Sequence, residues 1–131
     1  MKEKLLELLN NSYAPYSGVH FACIVETKSG NFYNGVNIEN ASFGGTICAE
    51  RNAINNAVSN GDKDFTALYL MCDKEEIMYP CNLCKQTFLE FFDKKVIFNI
   101  MNKNGESEVY TFNEIMSKTF SKEQMKWEVV L

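Results

Sequence analysis

No stretch of this sequence approaches the ~20 consecutive apolar residues that a membrane-spanning helix needs. The opening segment, MKEKLLELLNNSY, is broken by Glu7 and lacks a secretory apolar core or cleavage site, so a cytoplasmic location is expected. There is no Lys/Arg-rich run either. Thirteen basic residues against 17 acidic ones leave a net charge of −4, which argues against a nucleic-acid partner held through its phosphates. Internal repeats, low-complexity tracts and linkers are absent, and the 131 residues are expected to form one domain, 1–131. What is present, 46% apolar and 23% charged residues, is the balance of an ordinary soluble globular protein.

Histidine is also scarce: His20 stands alone. Cysteine is not, with five residues, an odd number that no disulfide framework can pair completely. In a reducing compartment such thiols pack in the core, bind metal or do chemistry. Cys23 in GVHFACIVE and Cys72 in ALYLMCD lie in apolar, strand-like runs and read as small buried hydrophobes. Cys48, Cys81 and Cys84 differ, because each falls at or near the start of an expected helix.

Apolar residues at 5, 6, 8 and 9 predict an amphipathic helix from Lys2 to Asn11. His20 to Glu26 reads as a central strand, TKSGN as a hairpin turn, and FYNGVN as the next strand. The loop IENASFGGT leads to a helix in ICAERNAINNAVSNG that Gly61 should stop. FTALYLMC is a strand, and PCNLCKQTFLEFF a helix with Pro80 at its start, where a missing N–H does no harm. KVIFNIMN and SEVYTF are strands about a turn at Lys103-Asn104-Gly105. NEIMSKTF is a short helical segment, followed by a polar tail as far as Trp127. The order α-β-β-α-β-α-β-β-α predicts an α/β fold: a single mixed sheet of about five strands sandwiched by helices. Two β-α-β connections require part of that sheet to be parallel.

The stretch YPCNLCKQ could be half a zinc site, a redox pair or ordinary core. A zinc site needs a further ligand, and Cys48 can supply it if the two helix N-termini converge on one face of the sheet. Helix N-termini favour the thiolate form that binds metal. Three thiolates fill three tetrahedral positions of Zn²⁺ and leave a fourth open, as in a catalytic site. No fourth protein ligand is evident; His20, on a strand before the site, reads as an outer or partly packed residue. Glu50, two residues after Cys48, is placed to exchange protons there. Arg51 can donate to the thiolates and offset their charge. Against this stand two plainer readings: a lone CxxC is a weak signal, and Glu followed by Arg in a helix is commonly a solvated face.

Three segments together are more specific. SYAPYS, GVNIENASFGGTICAER and PCNLCKQ, in that order and spacing, resemble the small homotetrameric cytidine deaminases, over almost the whole chain. The resemblance implies one zinc ion per subunit on Cys48, Cys81 and Cys84, and a zinc-activated water that attacks C4 of cytosine. Glu50 would shuttle the proton to ring N3 and on to the departing amino group, giving uridine and ammonia in pyrimidine salvage. It further implies that the N–H of Ala49 contacts the pyrimidine O2 and that Asn37 and Glu39 grip a ribose hydroxyl. In the similar tetramers, residues at the positions of Ala41, Phe43 and Phe120 come from neighbouring subunits to complete each pocket.

The chain departs from the family at several positions. Val19 stands where an aromatic is usual, and Phe21-Ala22-Cys23-Ile24 where Val-Gly-Ala-Ala is common. Asn82 replaces a glycine that it could mimic in backbone angle, Lys85 replaces an arginine, and Ser117 a proline. None removes an implied ligand or acid/base. Two alternatives are a deaminase of another aminopyrimidine nucleoside, such as the blasticidin S type, and a structural zinc module. The first would expect weaker sugar contacts than Asn37 and Glu39 offer, and the second a site closed by four protein ligands.

Overall fold

The computed structural model describes residues 1–120. Helix α1 (Lys2–Leu9) is followed by strands β1 (Phe21–Thr27) and β2 (Phe32–Val36), a 3₁₀ turn at Phe43–Gly45, and helix α2 (Ala49–Ser59). Strand β3 (Phe65–Cys72), helix α3 (Asn82–Phe91), strands β4 (Ile97–Met101) and β5 (Ser107–Tyr110), and helix α4 (Phe112–Ser117) complete the order. The strands form one sheet in the order β2-β1-β3-β4-β5. This is the expected mixed five-stranded sheet, with a single parallel pair, β3 with β4; the other neighbours are antiparallel. Connection β3-α3-β4 makes that pair, whereas β2-α2-β3 joins strands that run the same way with β1 between them. The expected polar stretch up to Trp127 lies outside the described residues.

Alternation along the strands sends side chains to two unequal layers. Cys23, Val25, Leu68, Leu70, Phe98 and Ile100 point to the layer that holds α2, α3 and α4. Ala22, Ile24, Met71 and Met101 point the other way and pack on Leu5 of α1. Stacked and tilted rings of Phe88, Phe92 and Phe98 fill the larger layer. Both thiol-bearing helices therefore sit on the same face, as convergence of their N-termini requires.

Helix α2 lies unusually close to the sheet, and Gly35 on β2 is the reason. A Cβ at Gly35 would fall 2.3 Å from the backbone nitrogen of Ala53 and 2.4 Å from the carbonyl oxygen of Ala49. Only hydrogen in place of a side chain lets α2 seat at this depth. At the far end of α2, Gly61 takes φ +78°, the left-handed conformation expected of a helix stop. Cys23 and Cys72 are buried, in keeping with their reading as small core residues. Cys72 also gives its thiol proton to the carbonyl of Glu76 at 3.1 Å.

Candidate metal centre and active site

Cys48 is the N-cap of α2 and Cys81 the N-cap of α3, both with extended backbone, and Cys84 lies one turn further into α3. Pro80 thus precedes the cap instead of opening the helix as expected, because Cys81 still holds extended angles (φ −75°, ψ 171°). The cap geometry points both thiols into the space between the two helix ends. Sγ of Cys81 stands 3.7 Å from that of Cys48 and 3.5 Å from that of Cys84, and all three lie within 4.8 Å of one another. These separations are far beyond the ~2.05 Å of a disulfide. They are close to the ~3.8 Å edge of a tetrahedron drawn around zinc with ~2.3 Å Zn–S bonds. Among the described residues, these three form the group of potential metal ligands, and His20 is not part of it.

The three thiols cannot all carry charge together. Hydrogen bonding with Cys48 and Cys84 draws the Cys81 thiol down to about 2. Its neighbours move the opposite way. The bond to Cys81 pushes Cys48 up to about 12, and bonds to Cys48 and Cys81 raise Cys84. Three thiols this close cannot all ionise unaided, since each new negative charge repels the last. A divalent cation removes that conflict, and the sulfur-only donor set suits zinc.

Glu50 is buried, at 4% exposure, in the first turn of α2. Burial lifts its carboxyl from an ordinary 4.5 to about 7, against hydrogen bonds from the backbone and from Cys84. A solvated helix face is therefore not what Glu50 occupies. Arg51 places Nη2 3.8 Å from Cys48 Sγ and 3.3 Å from the carbonyl of Thr46. Although burial works against its charge, the thiols of Cys48 and Cys84 hold the guanidinium above its usual range. Its Nε is buried and finds no hydrogen-bond partner among the described residues. Ala49 is the first residue of α2, so its N–H faces outward from the helix end.

The loop between β2 and α2 carries the remaining candidates. Asn37 is buried at 6% exposure, with Oδ1 accepting from the N–H of Phe21 and Nδ2 donating to the carbonyl of Val19. Glu39 Oε1 accepts from the N–H groups of Tyr16 and Ser17, and Oε2 from the Ser17 hydroxyl. The SYAPYS turn is thus folded onto this loop by the two side chains expected to meet the sugar. Ala41 is exposed, and Phe43 is 77% exposed with its ring edge-on to Tyr16 at 6.2 Å. Phe120 leans on its own chain's Val19, Cys72 and Met78.

The departures find physical explanations. Val19 is buried in that small cluster. Asn82 needs no glycine-like angle: among the described residues no non-glycine has a positive φ, and Asn82 simply opens α3. Lys85 is buried at 5% exposure and directs Nζ to the carbonyl of Met116 at 3.4 Å, tying α3 to the end of α4. Ser117 bonds back to the carbonyl of Glu114 at 2.7 Å, which a proline could not do.

Comparison with known proteins agrees with this geometry. Residues 1–100 match the family model for the cytidine and deoxycytidylate deaminase zinc-binding region. A cytidine deaminase of Mycoplasma pneumoniae is 37% identical over 120 residues, 89% of this chain and 89% of the relative. Another from Sporosarcina psychrophila is 34% identical over 116 residues, 88% of this chain and 85% of the relative. The crystal structure of a cytidine deaminase from Burkholderia pseudomallei superposes with a TM-score of 0.79 at 27% identity, covering 92% of this chain and 99% of that one. The fold is the cytidine deaminase α/β fold, and the chain belongs to the family of zinc-dependent hydrolytic deaminases that this model defines.

Proposed function

We propose that this protein hydrolyses cytidine and deoxycytidine to uridine and deoxyuridine with release of ammonia, as an enzyme of pyrimidine salvage in the cytoplasm. Chain 1–131 acts as one catalytic domain. The observation that carries the proposal is a buried carboxylate, Glu50, beside three converging thiols at two helix N-termini. Cys48, Cys81 and Cys84 would hold one zinc ion per subunit, which would supply Lewis acidity to a water facing C4 of the pyrimidine. Glu50 takes one proton from that water and gives it to ring N3, then takes the second from the hydroxyl on C4 and gives it to the leaving amino group. A C4–O bond forms, the C4–N bond breaks, and Glu50 ends as it began. Its elevated affinity for protons, about 7, suits a group that must both accept and donate near neutrality.

The free N–H of Ala49 binds the pyrimidine O2. Asn37 and Glu39 hold a sugar hydroxyl between a donor and an acceptor. Arg51 moderates the charge of the thiolates. In a homotetramer, Ala41, Phe43 and Phe120 reach the pockets of neighbouring subunits; the high exposure of Phe43 supports this assignment.

Cytidine incubated with zinc-replete protein should lose its own ultraviolet spectrum and gain that of uridine. Glu50→Ala should slow this by about 10²–10⁴-fold while keeping its zinc. Absence of the shift from folded, zinc-loaded protein would redirect the assignment to another aminopyrimidine nucleoside, and undiminished turnover by Glu50→Ala would remove Glu50 from the reaction.

A further inference from the structure

His20 has no part in the chemistry above, yet it is joined to the loop that carries Asn37. Its Nδ1 lies 2.9 Å from Ser12 Oγ, and Ser12 Oγ is in turn hydrogen-bonded to Asn37 Oδ1. Two backbone groups that cannot change role fix the polarity of this chain of bonds. The N–H of Phe21 donates to Asn37 Oδ1 at 2.8 Å, and Asn37 Nδ2 donates to the carbonyl of Val19 at 2.8 Å. The amide therefore has one allowed orientation. Asn37 Oδ1 can only accept, so Ser12 spends its single hydroxyl hydrogen there. None is left for the imidazole, which means that His20 carries its proton on Nδ1 and donates to Ser12.

The relay runs one way: imidazole N–H to hydroxyl to amide oxygen. It fills Oδ1 with two donors. One Nδ2 hydrogen goes to Val19, and the second, without a partner among the described residues, is what the Asn37 side chain keeps for a ligand. Glu39, across the loop, is an acceptor with lone pairs beyond those met by Tyr16 and Ser17. One hydroxyl, accepting from Asn37 and donating to Glu39, satisfies both. We infer that His20 and Ser12 are positioning residues that hold the already oriented Asn37 amide in place against the sugar, and so strengthen the preference for nucleosides that bear a ribose hydroxyl. This rests on the proposed nucleoside deamination. Without the imidazole donor, Ser12 Oγ loses its anchor and can turn to the backbone carbonyl of Asn37, 3.5 Å away, which leaves the amide oriented by Phe21 and Val19 but held less firmly in place.

The test compares cytidine with 2′,3′-dideoxycytidine, which has neither sugar hydroxyl, across His20→Leu, Ser12→Ala and His20→Gln. His20→Leu and Ser12→Ala should each raise KM for cytidine about fivefold, the size of one neutral hydrogen bond, with kcat little changed. Neither should alter kcat/KM for the dideoxy substrate, and His20→Gln, which retains an N–H donor, should restore the cytidine KM. Equal losses on both substrates, or no loss on either, would overturn the relay. If His20→Leu does not fold, Ser12→Ala decides from the other end. Nitrogen-15 NMR of the neutral imidazole gives a readout independent of turnover: an Nδ1–H tautomer is expected, and an Nε2–H tautomer would refute the assignment. Failure of the unaltered zinc-loaded protein to turn over cytidine would sink the proposed function and the relay with it. Normal turnover with unmoved discrimination would sink the relay alone.

Discussion

Helix α2 ends in two acidic environments that are built in opposite ways. At its C-terminal end, Oδ2 of Asp62 receives Thr27 Oγ1 at 2.8 Å, Ser29 Oγ at 2.7 Å, Tyr33 OH at 3.0 Å and Asn31 Nδ2 at 3.3 Å. Those donors, Ser29 foremost, hold Asp62 below its ordinary 3.8 and staple the β1–β2 turn to the start of β3. At the N-terminal end Glu50 is pushed the other way by burial, beside thiols whose charges conflict. One carboxylate is completed by the protein's own neutral donors. The other is raised by burial beside the thiol cluster, where the proposed cation and reactant would sit. The direction of the shift separates scaffold from machinery along a single helix.

The strongest way to break the contrast is at the metal set. Cys84→Ser should strip the protein of nearly all its zinc and abolish deamination, which metal analysis of the purified variant would reveal. An unchanged stoichiometry would remove Cys84 from the ligands. Next in size is the seat that both ends share. Gly35→Ala forces a Cβ into the backbone of α2 and should lower stability by about 2–3 kcal/mol in chemical denaturation. Because α2 carries Cys48 and Glu50, activity should fall too; a variant with native stability would show that the helix can shift at little cost.

The smallest effect belongs to the scaffold end. A carboxyl with a depressed pKa stabilises the folded state above its unfolded value and loses that contribution as pH falls through the folded one. Asp62→Asn should therefore melt slightly lower than the parent at neutral pH, with the gap closing in acid below about 3.8. Turnover per folded molecule should stay unaltered. A gap independent of pH would mean that the carboxylate's charge is not what the four donors hold.

Much of this contrast was legible before any coordinates. The strand and helix order follows from apolar runs of short and long period, and the placement of Cys48, Cys81 and Cys84 from caps that local sequence dictates. Pro80, expected as the first helical residue, stands two positions before it, since whether a residue caps or opens a helix depends on the angle of Cys81, not on the proline. The role of Gly35 was invisible, because FYNGVN says nothing about how near a helix 14 or more residues later will pass. That Asn37 meets the sugar is an expectation from the family resemblance alone. That its amide is already held by Ser12, Phe21 and Val19 required the fold to bring 12, 19, 21 and 37 together. The environment of Glu50 likewise depends on the fold bringing Cys84 of α3 against it, which no spacing in CAER encodes.

The thiol cluster joins Cys48 to Cys81, which are 33 positions apart in the chain. A cation seated there is also a cross-link: it closes a loop that contains all of α2 and β3. In the unfolded chain the same closure would cost entropy growing with loop length, so the ion favours the folded form far beyond the few atoms it touches. If the proposed ion binds there, metal removal would lower the stability of the fold as well as any activity, so both would depend on the free metal concentration.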